Sequence, residues 1–465
     1  MVPIIYTPTI GRVCERYSHI YRRPRGVYVS TADRGRVREA LCNAGRDEVR
    51  VIVATDNEAI LGIGDQGVGG MGIAIGKTSL YTAGAGIHPA GTLPLDIDVG
   101  TDNPALLEDP LYLGARHVRL RGEAYFSLLD ELVEAIADVF PAALVQWEDF
   151  ANQQAFDVLN RYRRRLPSFD DDIQGTAAIV EAGLRTALDR VGRRLADERI
   201  VVFGAGASGA GVALQLRRAL QAAGVPRAEL SGRILCLDSQ GLILEGRTGL
   251  RGHKRDVAAD PARVAGWASA GGRFGLLDVV RGFEPTILIG ASGQPGTFTE
   301  EVVRTMHAGC GRPILLPLSN PTSRIEALPA DILRWTTGAA VVGTGSPFAP
   351  VTLDGVTHHI GQCNNVLVFP GIGLGATAVG ARWLPDDAFA AAARAVYEFT
   401  GHAAVPGAPI FPALGQLRDV SRSVAAAAGR ALVAAGAAPP LPDAEIDRRV
   451  SAGIWDPVYL PYRAG

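Results

Sequence analysis

The chain of 465 residues is long enough for two or three domains, and its 47% hydrophobic and 20% charged residues are typical of a globular protein with a sizeable core. A formal net charge of -2 without a basic stripe argues against nucleic acid or an anionic membrane surface as a partner. Five widely spaced cysteines predict buried thiols in a reducing cytoplasm and no disulfides. No signal peptide is expected, and without an apolar stretch of about 18 residues no transmembrane helix is expected either.

Hydrophobic periodicity predicts alternating helices and strands in the N-terminal part of the chain. Helices are expected at 36–45, 78–85, 123–140 and 151–166, and strands at 50–54, 93–99 and 144–147. Seven glycines between Gly62 and Gly76 predict a loop whose backbone can approach a ligand closely. The loop ends in Gly76-Lys77-Thr78, but Met71 occupies the position where a phosphate-binding P-loop needs glycine, so we reject that function.

Two acidic clusters predict a metal site. Three consecutive carboxylates, Asp170 to Asp172, and the pair Glu148 and Asp149 are each flanked by large apolar residues. Like charges this close raise one another's pKa, and a divalent cation relieves the repulsion because hard cations take carboxylate oxygens as ligands. A solvated acidic turn is the alternative, which the apolar neighbours disfavour. A domain boundary near residue 165 would place the triple cluster at an interdomain junction.

A dinucleotide-binding unit is predicted from residue 199 onward. A strand at 199–203 leads into a GxGxxG motif, and an alanine-rich helix at 210–223 follows, which is the context that makes this motif informative. The candidate cofactor-binding residues of the motif are Gly204, Gly206, Ser208 and Gly209. The next strand, 233–238, ends in Asp238, whose carboxylate is expected to accept hydrogen bonds from an adenosine ribose and to favour NAD over NADP.

Further strands at 286–290, 313–318 and 339–343 continue this pattern, and an alanine-rich helix is expected at 385–435. Asparagines at the strand ends are neutral donors for a substrate carboxylate or a cofactor amide, with turn formation as an equally weighted alternative. The tail with Trp455, Tyr459 and Tyr462 is expected to pack on the body. The predicted fold class is α/β, with an N-terminal catalytic domain at 1–165 and a Rossmann-type, doubly wound NAD-binding domain at 166–465 that ends in helices.

The motifs, in their order along the chain, resemble those of the malic enzyme family. They are Tyr6-Thr-Pro-Thr-Ile-Gly11, Leu61-Gly-Ile-Gly-Asp65, Ile75-Gly-Lys77, Asp98-Val-Gly-Thr-Asp-Asn103, Trp147-Glu-Asp-Phe150, Phe169-Asp-Asp-Asp-Ile-Gln-Gly175, Pro317-Leu-Ser-Asn-Pro-Thr322, Gln362-Cys-Asn-Asn365 and Phe369-Pro-Gly-Ile-Gly-Leu374. The resemblance covers nearly the whole chain. It implies oxidation of L-malate with NAD and Mn²⁺ or Mg²⁺, decarboxylation to pyruvate and CO₂, and assembly as a homo-oligomer.

The resemblance also implies roles for single residues. Lys77 resembles the general base for the C2 hydroxyl of malate, Tyr6 resembles the acid that protonates the enol of pyruvate, and Asp171 lies in the catalytic network. The implied metal ligands are Glu148, Asp149 and Asp172; the implied cofactor contacts are Ser292 and Asn320; the implied substrate contacts are Asn320, Asn364 and Asn365. A lysine serves as a base only when its pKa falls well below about 10.4, which we expect from burial and a nearby cation.

Two positions depart from the family pattern. Ala59 replaces an arginine that pairs with a malate carboxylate and the cofactor, and Asp170 replaces an asparagine. The malolactic enzymes, relatives that convert malate to lactate, also have a small residue at the position of Ala59. Malolactic chemistry or a modified malate is therefore the alternative function, and an NAD-binding regulatory paralogue with little activity is the second alternative.

Overall fold

Five parallel strands of the N-terminal part form a sheet in the order β1-β3-β2-β4-β5. The strands are β1 Val27–Ser30, β2 Val51–Thr55, β3 Thr92–Asp98, β4 Leu144–Glu148 and β5 Ser168–Asp170. Every residue of β2, β3 and β4 is buried, as expected for parallel strands covered by helices on both faces. Because the strands are parallel, their carboxyl ends lie at one edge of the sheet.

The computed structural model describes residues 2–7, 9–60, 62–267, 272–402 and 405–459. The helices of the N-terminal part are α1 Val2–Ile5, α2 Thr9–Glu15, α3 Tyr17–Ile20, α4 Val37–Cys42, α5 Met71–Leu80, α6 Pro104–Glu108, α7 Gly122–Val139 and α8 Asn152–Tyr162. None of the helices in these ranges combines the length and the apolarity that a bilayer crossing needs.

The glycine-rich segment corrects one prediction. From Gly67 onward it is a 3₁₀ turn, Gly67–Gly70, followed by helix α5, not a loop. Its glycines allow close packing on α2, since a Cβ at Gly72 would lie 2.8 Å from the Cys14 Sγ. A Cβ at Gly76 would likewise lie 3.0 Å from the carbonyl oxygen of Ile5. The small side chains thus let α5 hold Lys77 beside the N-terminal segment.

The second sheet has the order β14-β11-β10-β9-β6-β7-β8. Its strands are β6 Ile200–Phe203, β7 Ile234–Asp238, β8 Gly241–Leu242, β9 Ile287–Gly290, β10 Ile314–Pro317, β11 Val341–Thr344 and β14 Gly361–Gln362. All pairs are parallel except β7 with β8, and β12 Val351–Leu353 forms a separate hairpin with β13 Val356–His358. The chain moves from β6 to β7 on one side and returns to β9 on the other, which is the switch point where doubly wound sheets bind ligands.

The remaining helices cover this sheet and then return to the first one. They are α9 Thr176–Val191, α10 Ala207–Ala222, α11 Arg227–Leu230, α12 Gly252–Arg255, α13 Leu276–Phe283, α14 Glu300–Cys310, α15 Pro329–Trp335, α16 Phe369–Val379, α17 Asp386–Thr400, α18 Leu417–Ala434 and α19 Asp443–Ala452. Helix α16 packs on β4 and on the π turn Tyr81–Ala85, so the C-terminal segment reaches the N-terminal sheet.

Most predicted elements are present within a few residues, but three details differ. The helix expected at 385–435 is two helices, α17 and α18. In the tail, Trp455 packs edge-on against His88, whereas Tyr459 is fully exposed and Tyr462 lies outside the described residues. Cys42 is exposed, although buried thiols were expected. The domain boundary near residue 165 stays a prediction; β5, just beyond it, still belongs to the first sheet.

Candidate active site

The acidic residues meet at the carboxyl edge of the first sheet. Glu148 ends β4, Asp170 ends β5, and the pairing of Trp147 with Asp170 brings the two ends together. Asp171 and Asp172 lie in the π turn Asp171–Gly175, which leads into α9. Asp170 caps this turn, because its carboxylate accepts a hydrogen bond from the Ile173 N–H at 2.9 Å. The turn therefore aims consecutive carboxylates in different directions.

Three of these carboxylates form a group that suits a divalent cation. Glu148, Asp149 and Asp172 are buried, and each offers an oxygen within 4.8 Å of the other two. The Oδ1 of Asp149 is buried without a hydrogen-bond partner in the described part of the chain. Burial raises the pKa of Glu148 to about 8, and Asp172 adds to this while Lys77 opposes it. Three acidic oxygens in an apolar setting fit Mg²⁺ or Mn²⁺, and the predicted metal ligands are thus brought together.

Lys77 is fully buried beside this group. Its Nζ donates to Asp171 Oδ2 at 2.5 Å and forms an ion pair with Glu148 Oε1 at 2.7 Å. Burial alone would lower the pKa of Lys77, but Asp171 and Glu148 outweigh it and raise the pKa well above its usual value. Burial by itself therefore does not lower the pKa of Lys77, because the charge of the neighbouring carboxylates exceeds the effect of desolvation. The lowered pKa, which was expected from burial together with a nearby cation, stays a prediction.

Tyr6 lies on the other side of Lys77. The centroid of its ring is 5.3 Å from the Lys77 Nζ, and the ring of Phe369 is 4.6 Å from the same atom. The tyrosine is 5% exposed, and burial raises its pKa well above 10.0. The side chain consequently stays a neutral phenol, which is the form that an acid requires.

Glu148 is hydrogen-bonded to a chain of two neutral side chains. The Tyr81 hydroxyl donates to Gln146 Oε1 at 2.6 Å, and Gln146 Nε2 donates to Glu148 Oε2 at 2.7 Å. All three side chains are buried. The chain fixes the orientation of the Glu148 carboxylate, whose other oxygen faces Lys77.

A cavity of about 740 Å³ extends from the acidic cluster to the end of β7. The predicted site residues that line it are Tyr6, Asp172, Gly204, Gly206, Ser208, Asp238, Ser292, Asn320, Asn364 and Asn365. The predicted residues outside this lining are Lys77, Glu148, Asp149, Asp171 and Gly209. The cavity follows the switch point of the second sheet, so it can hold an extended dinucleotide with one end at the carboxylates.

The glycines of the GxGxxG motif bring β6, β9 and α10 close together. Gly204 has a φ of +110°, and a Cβ there would lie 2.4 Å from the carbonyl oxygen of Ala291. A Cβ at Gly209 would lie 2.0 Å from the carbonyl oxygen of Gly204. Gly204 thus shapes the turn, Gly209 allows α10 to approach the strand, and the helix N-terminus faces the cavity as a pyrophosphate site requires.

Asp238 lies at the far end of the cavity with partners that sequence reasoning missed. Arg247 donates two hydrogen bonds to its carboxylate, at 3.0 and 2.5 Å, and Lys254 donates one at 2.6 Å. Burial would raise the pKa of Asp238, but these two cations outweigh it and the pKa is lowered. The carboxylate that was expected to accept ribose hydroxyls is therefore already shared with two cations, which come from positions 9 and 16 residues later in the chain.

The asparagines differ in what their side chains contact. Asn365 donates from Nδ2 to Asp171 Oδ2 at 2.6 Å, which places it in the Lys77 network. Asn364 uses its Oδ1 to cap the turn Asn365–Leu367, accepting from the Val366 N–H at 3.0 Å. Asn320 accepts a hydrogen bond from the Ser346 hydroxyl. Each keeps other polar atoms for a ligand. The turn-forming interpretation is confirmed for Asn364, whereas its contact with a substrate stays a prediction.

Two further residues were missed from the sequence. Asn152, at the start of α8, accepts a hydrogen bond from the Ala207 N–H at 2.8 Å and so meets the first turn of α10 across the cavity. Glu326 is a fully buried carboxylate that contacts the loops carrying Ser292 and Ser319. An available signal was its position within the apolar run Ile325 to Leu328, where an acid is unexpected.

Two family models match most of the chain. The family model described as "Malic enzyme, N-terminal domain" matches residues 1–163, and the one described as "Malic enzyme, NAD binding domain" matches residues 173–433.

The chain belongs to the malic enzyme family. The NAD-dependent malic enzymes of Shewanella baltica and Shewanella oneidensis are each 45% identical to it over 463 residues, which cover 100% of this chain and 82% of the relative. These matches confirm the predicted family and the assignment as an NAD-dependent oxidoreductase.

Solved malic enzymes share the fold. The structure from Entamoeba histolytica superimposes with a TM-score of 0.69 at 24% identity and covers 97% of this chain and 80% of that one. The structure from Pyrococcus horikoshii gives a TM-score of 0.65 at 23% identity, with 97% and 88% covered. The predicted fold class, with its Rossmann-type NAD-binding domain, is confirmed. The roles of the individual site residues stay predictions.

Proposed function

We propose that this malic enzyme family member oxidises L-malate with NAD and releases CO₂ and pyruvate, with a divalent cation held by Glu148, Asp149 and Asp172. One observation carries the proposal: a buried lysine lies between two carboxylates, directly beside a three-carboxylate group and beneath a dinucleotide-sized cavity. A bound NAD would supply the hydride acceptor, and a bound Mg²⁺ or Mn²⁺ would supply Lewis acidity toward the substrate oxygens.

Lys77 is proposed to take the proton of the C2 hydroxyl. As an ammonium it cannot do so. The carboxylates that hold it protonated include Glu148 and Asp172, which are also two of the three proposed cation ligands. A cation held by these carboxylates would weaken the field that raises the pKa of Lys77. Asp171 and Asn365 are proposed to keep the amine oriented in both states, since Asn365 also contacts Asp171.

Tyr6 is proposed to give its phenolic proton to the enol that remains after CO₂ leaves. Its raised pKa keeps the proton available, and Lys77 at 5.3 Å from the ring centroid lies near enough to return one through the substrate or a water molecule. The walls formed by Ser292, Asn320 and Asn364 are proposed to orient the nicotinamide and the substrate carboxylates.

The experiment supplies Mn²⁺, NAD and L-malate, and follows NADH by absorbance together with pyruvate and lactate by chromatography. Equal amounts of NADH and pyruvate are expected. Lactate without net NADH would instead indicate malolactic chemistry, which the small side chain of Ala59 favours. Binding of NAD without turnover would indicate the regulatory paralogue. Lys77→Met should reduce kcat by about 100-fold or more if Lys77 is the base.

We also propose a homo-oligomer and a cytoplasmic location. Exposed apolar side chains in the N-terminal part, Leu111, Leu113 and Val118, support a contact with a second copy. All five cysteines are free thiols, which suits a reducing compartment.

A further inference from the structure

Glu326 lies just behind the wall of the dinucleotide cavity. Its side chain is fully buried, and it does not line the cavity itself. The absence of a side chain at Gly290, the last residue of β9, makes room for Glu326, since a Cβ there would lie 2.5 Å from the Glu326 Cδ. Burying a carboxylate is costly unless it is fully hydrogen-bonded, so the hydrogen-bond donors to Glu326 must compensate for its burial.

The donors to Glu326 are neutral and come from two separate loops. After β9, the N–H and the hydroxyl of Ser292 each donate to Glu326 Oε1 at 2.9 Å. After β10, the hydroxyl of Ser319 donates to Oε1 at 2.5 Å and the Ser319 N–H donates to Oε2 at 3.3 Å. The Ser319 hydroxyl also accepts from the Gly293 N–H at 2.8 Å, so it links the two loops directly.

These loops form one side of the cavity. Ser292, Gly293, Ser319 and Asn320 all line it, and a Cβ at Gly204 would lie 2.6 Å from the Ser292 Cα, which places the first loop against the GxGxxG turn. Because the Ser292 hydroxyl proton points to Glu326, this serine can offer a ligand only lone pairs of that oxygen. A single buried carboxylate therefore decides both the spacing of the loops and which polar atoms they present.

We propose that Glu326 is a positioning residue for the dinucleotide: it holds the Ser292 and Ser319 loops in the geometry that binds NAD. The inference rests on the proposed function, because it assumes that the cavity takes NAD. It is specific to the cofactor, since Glu326 has no contact with the acidic cluster among the hydrogen bonds of the described residues.

Glu326→Gln tests this, because the amide keeps the shape but turns an acceptor into a donor that faces N–H and O–H groups. We expect the Kd for NAD, measured by titration calorimetry, to rise about 10-fold. KM for NAD should rise in parallel, whereas KM for malate and the Mn²⁺ affinity should stay within about twofold of the wild type.

The matched control is Glu198→Gln. Glu198 is also buried, at 1% exposure, and accepts from the Thr286 hydroxyl at 2.6 Å, but it lies at the opposite end of β9. The Glu198→Gln variant should be less stable than the wild type but should bind NAD with the same affinity. Unchanged NAD binding in Glu326→Gln, or an equal loss in Glu198→Gln, overturns the proposal.

Two further measurements keep the result decisive. If Glu326→Gln does not fold, Ser319→Ala, which removes the hydroxyl that links the loops, is judged by the same criteria. Wild-type protein that binds no NAD at all would refute the proposed function itself, and this is read from the first titration, before any variant is compared.

Discussion

At the scale of single residues, Ala59 is where this chain leaves the pattern of its family. Its N–H donates to the carbonyl oxygen of Asp149 at 2.9 Å, so it adjoins a proposed cation ligand. Cations that line the cavity are Arg251, Lys254 and Arg324. Two of them, Arg251 and Lys254, belong to the segment around α12, which lies near Asp238. A substrate carboxylate bound beside Ala59 would lack a cation at the position where the family pattern has an arginine.

Restoring this arginine should strengthen malate binding. In Ala59→Arg, a charge-assisted hydrogen bond to a substrate carboxylate is worth about 1.5–3 kcal/mol, so KM for malate should fall by about 10-fold or more. The measurement is the malate dependence of NADH formation at saturating NAD and Mn²⁺.

Ala142→Arg is the control for the charge alone. Ala142 is exposed and precedes β4, at the strand end opposite to Glu148. If both variants lower KM equally, the effect is long-range attraction and the account of Ala59 fails; an unchanged KM in Ala59→Arg also contradicts it.

At the scale of elements, the packing of the 3₁₀ turn Gly67–Gly70 on α2 determines where Lys77 and Tyr6 stand. A Cβ at Gly69 would lie 2.6 Å from the carbonyl oxygen of Cys14, a backbone atom that no rotamer change can move. Helices α2 and α5 both pack against the segment before Tyr6, so a displacement of the 3₁₀ turn from α2 would also move Lys77 relative to Tyr6.

Gly69→Ala should therefore destabilise the protein by about 1–3 kcal/mol in a denaturant titration. Gly11→Ala provides the comparison, since Gly11 lies within α2 and a Cβ there has no neighbour within 4 Å. That variant should be neutral or gain up to about 1 kcal/mol from the better helix propensity of alanine. Equal effects of the two substitutions would disprove the packing argument.

At the scale of the whole molecule, the three proposed cation ligands, Glu148, Asp149 and Asp172, come from two parts of the fold. Glu148 ends β4 of the first sheet and Asp149 follows it. Asp172 lies in the turn that leads into α9, and this helix packs on α10 of the second sheet and on α17. These oxygens are near one another only in the folded chain, so a cation that binds them stabilises the native state by linkage.

Mn²⁺ at about 100 times its Kd should add about 2.7 kcal/mol to the free energy of unfolding and raise Tm, and chelation by EDTA should reverse this. Asp149→Asn should abolish the shift. Asp138→Asn, the same substitution at an exposed carboxylate that pairs with Arg38, should leave the shift intact. A shift that persists in Asp149→Asn would place the cation elsewhere.

The sequence alone determined the elements, the family and the identity of most proposed site residues. The elements and the dinucleotide motif follow from local signals: strand periodicity, the GxGxxG turn after β6, and acids that are adjacent in the chain. The family, and with it the roles of Tyr6, Lys77 and the asparagines, came from the resemblance of motifs in their order along the chain. Even the acidic cluster was recognised from contiguous residues, since Asp170 to Asp172 follow one another. Local patterns failed for the glycine-rich segment, where α5 is helical because glycines pack against α2.

Only the tertiary structure decided the charge states and the supporting contacts. Lys77 is held as an ammonium because Asp171, 94 residues later, and Glu148 converge on its Nζ. Asp238 is paired with Arg247 and Lys254, and Glu326 holds two loops that belong to different strands. The pKa of a side chain and the formation of an ion pair depend on burial and on distances to other charges. Residues that are remote in the sequence determine both, so no local pattern predicts them.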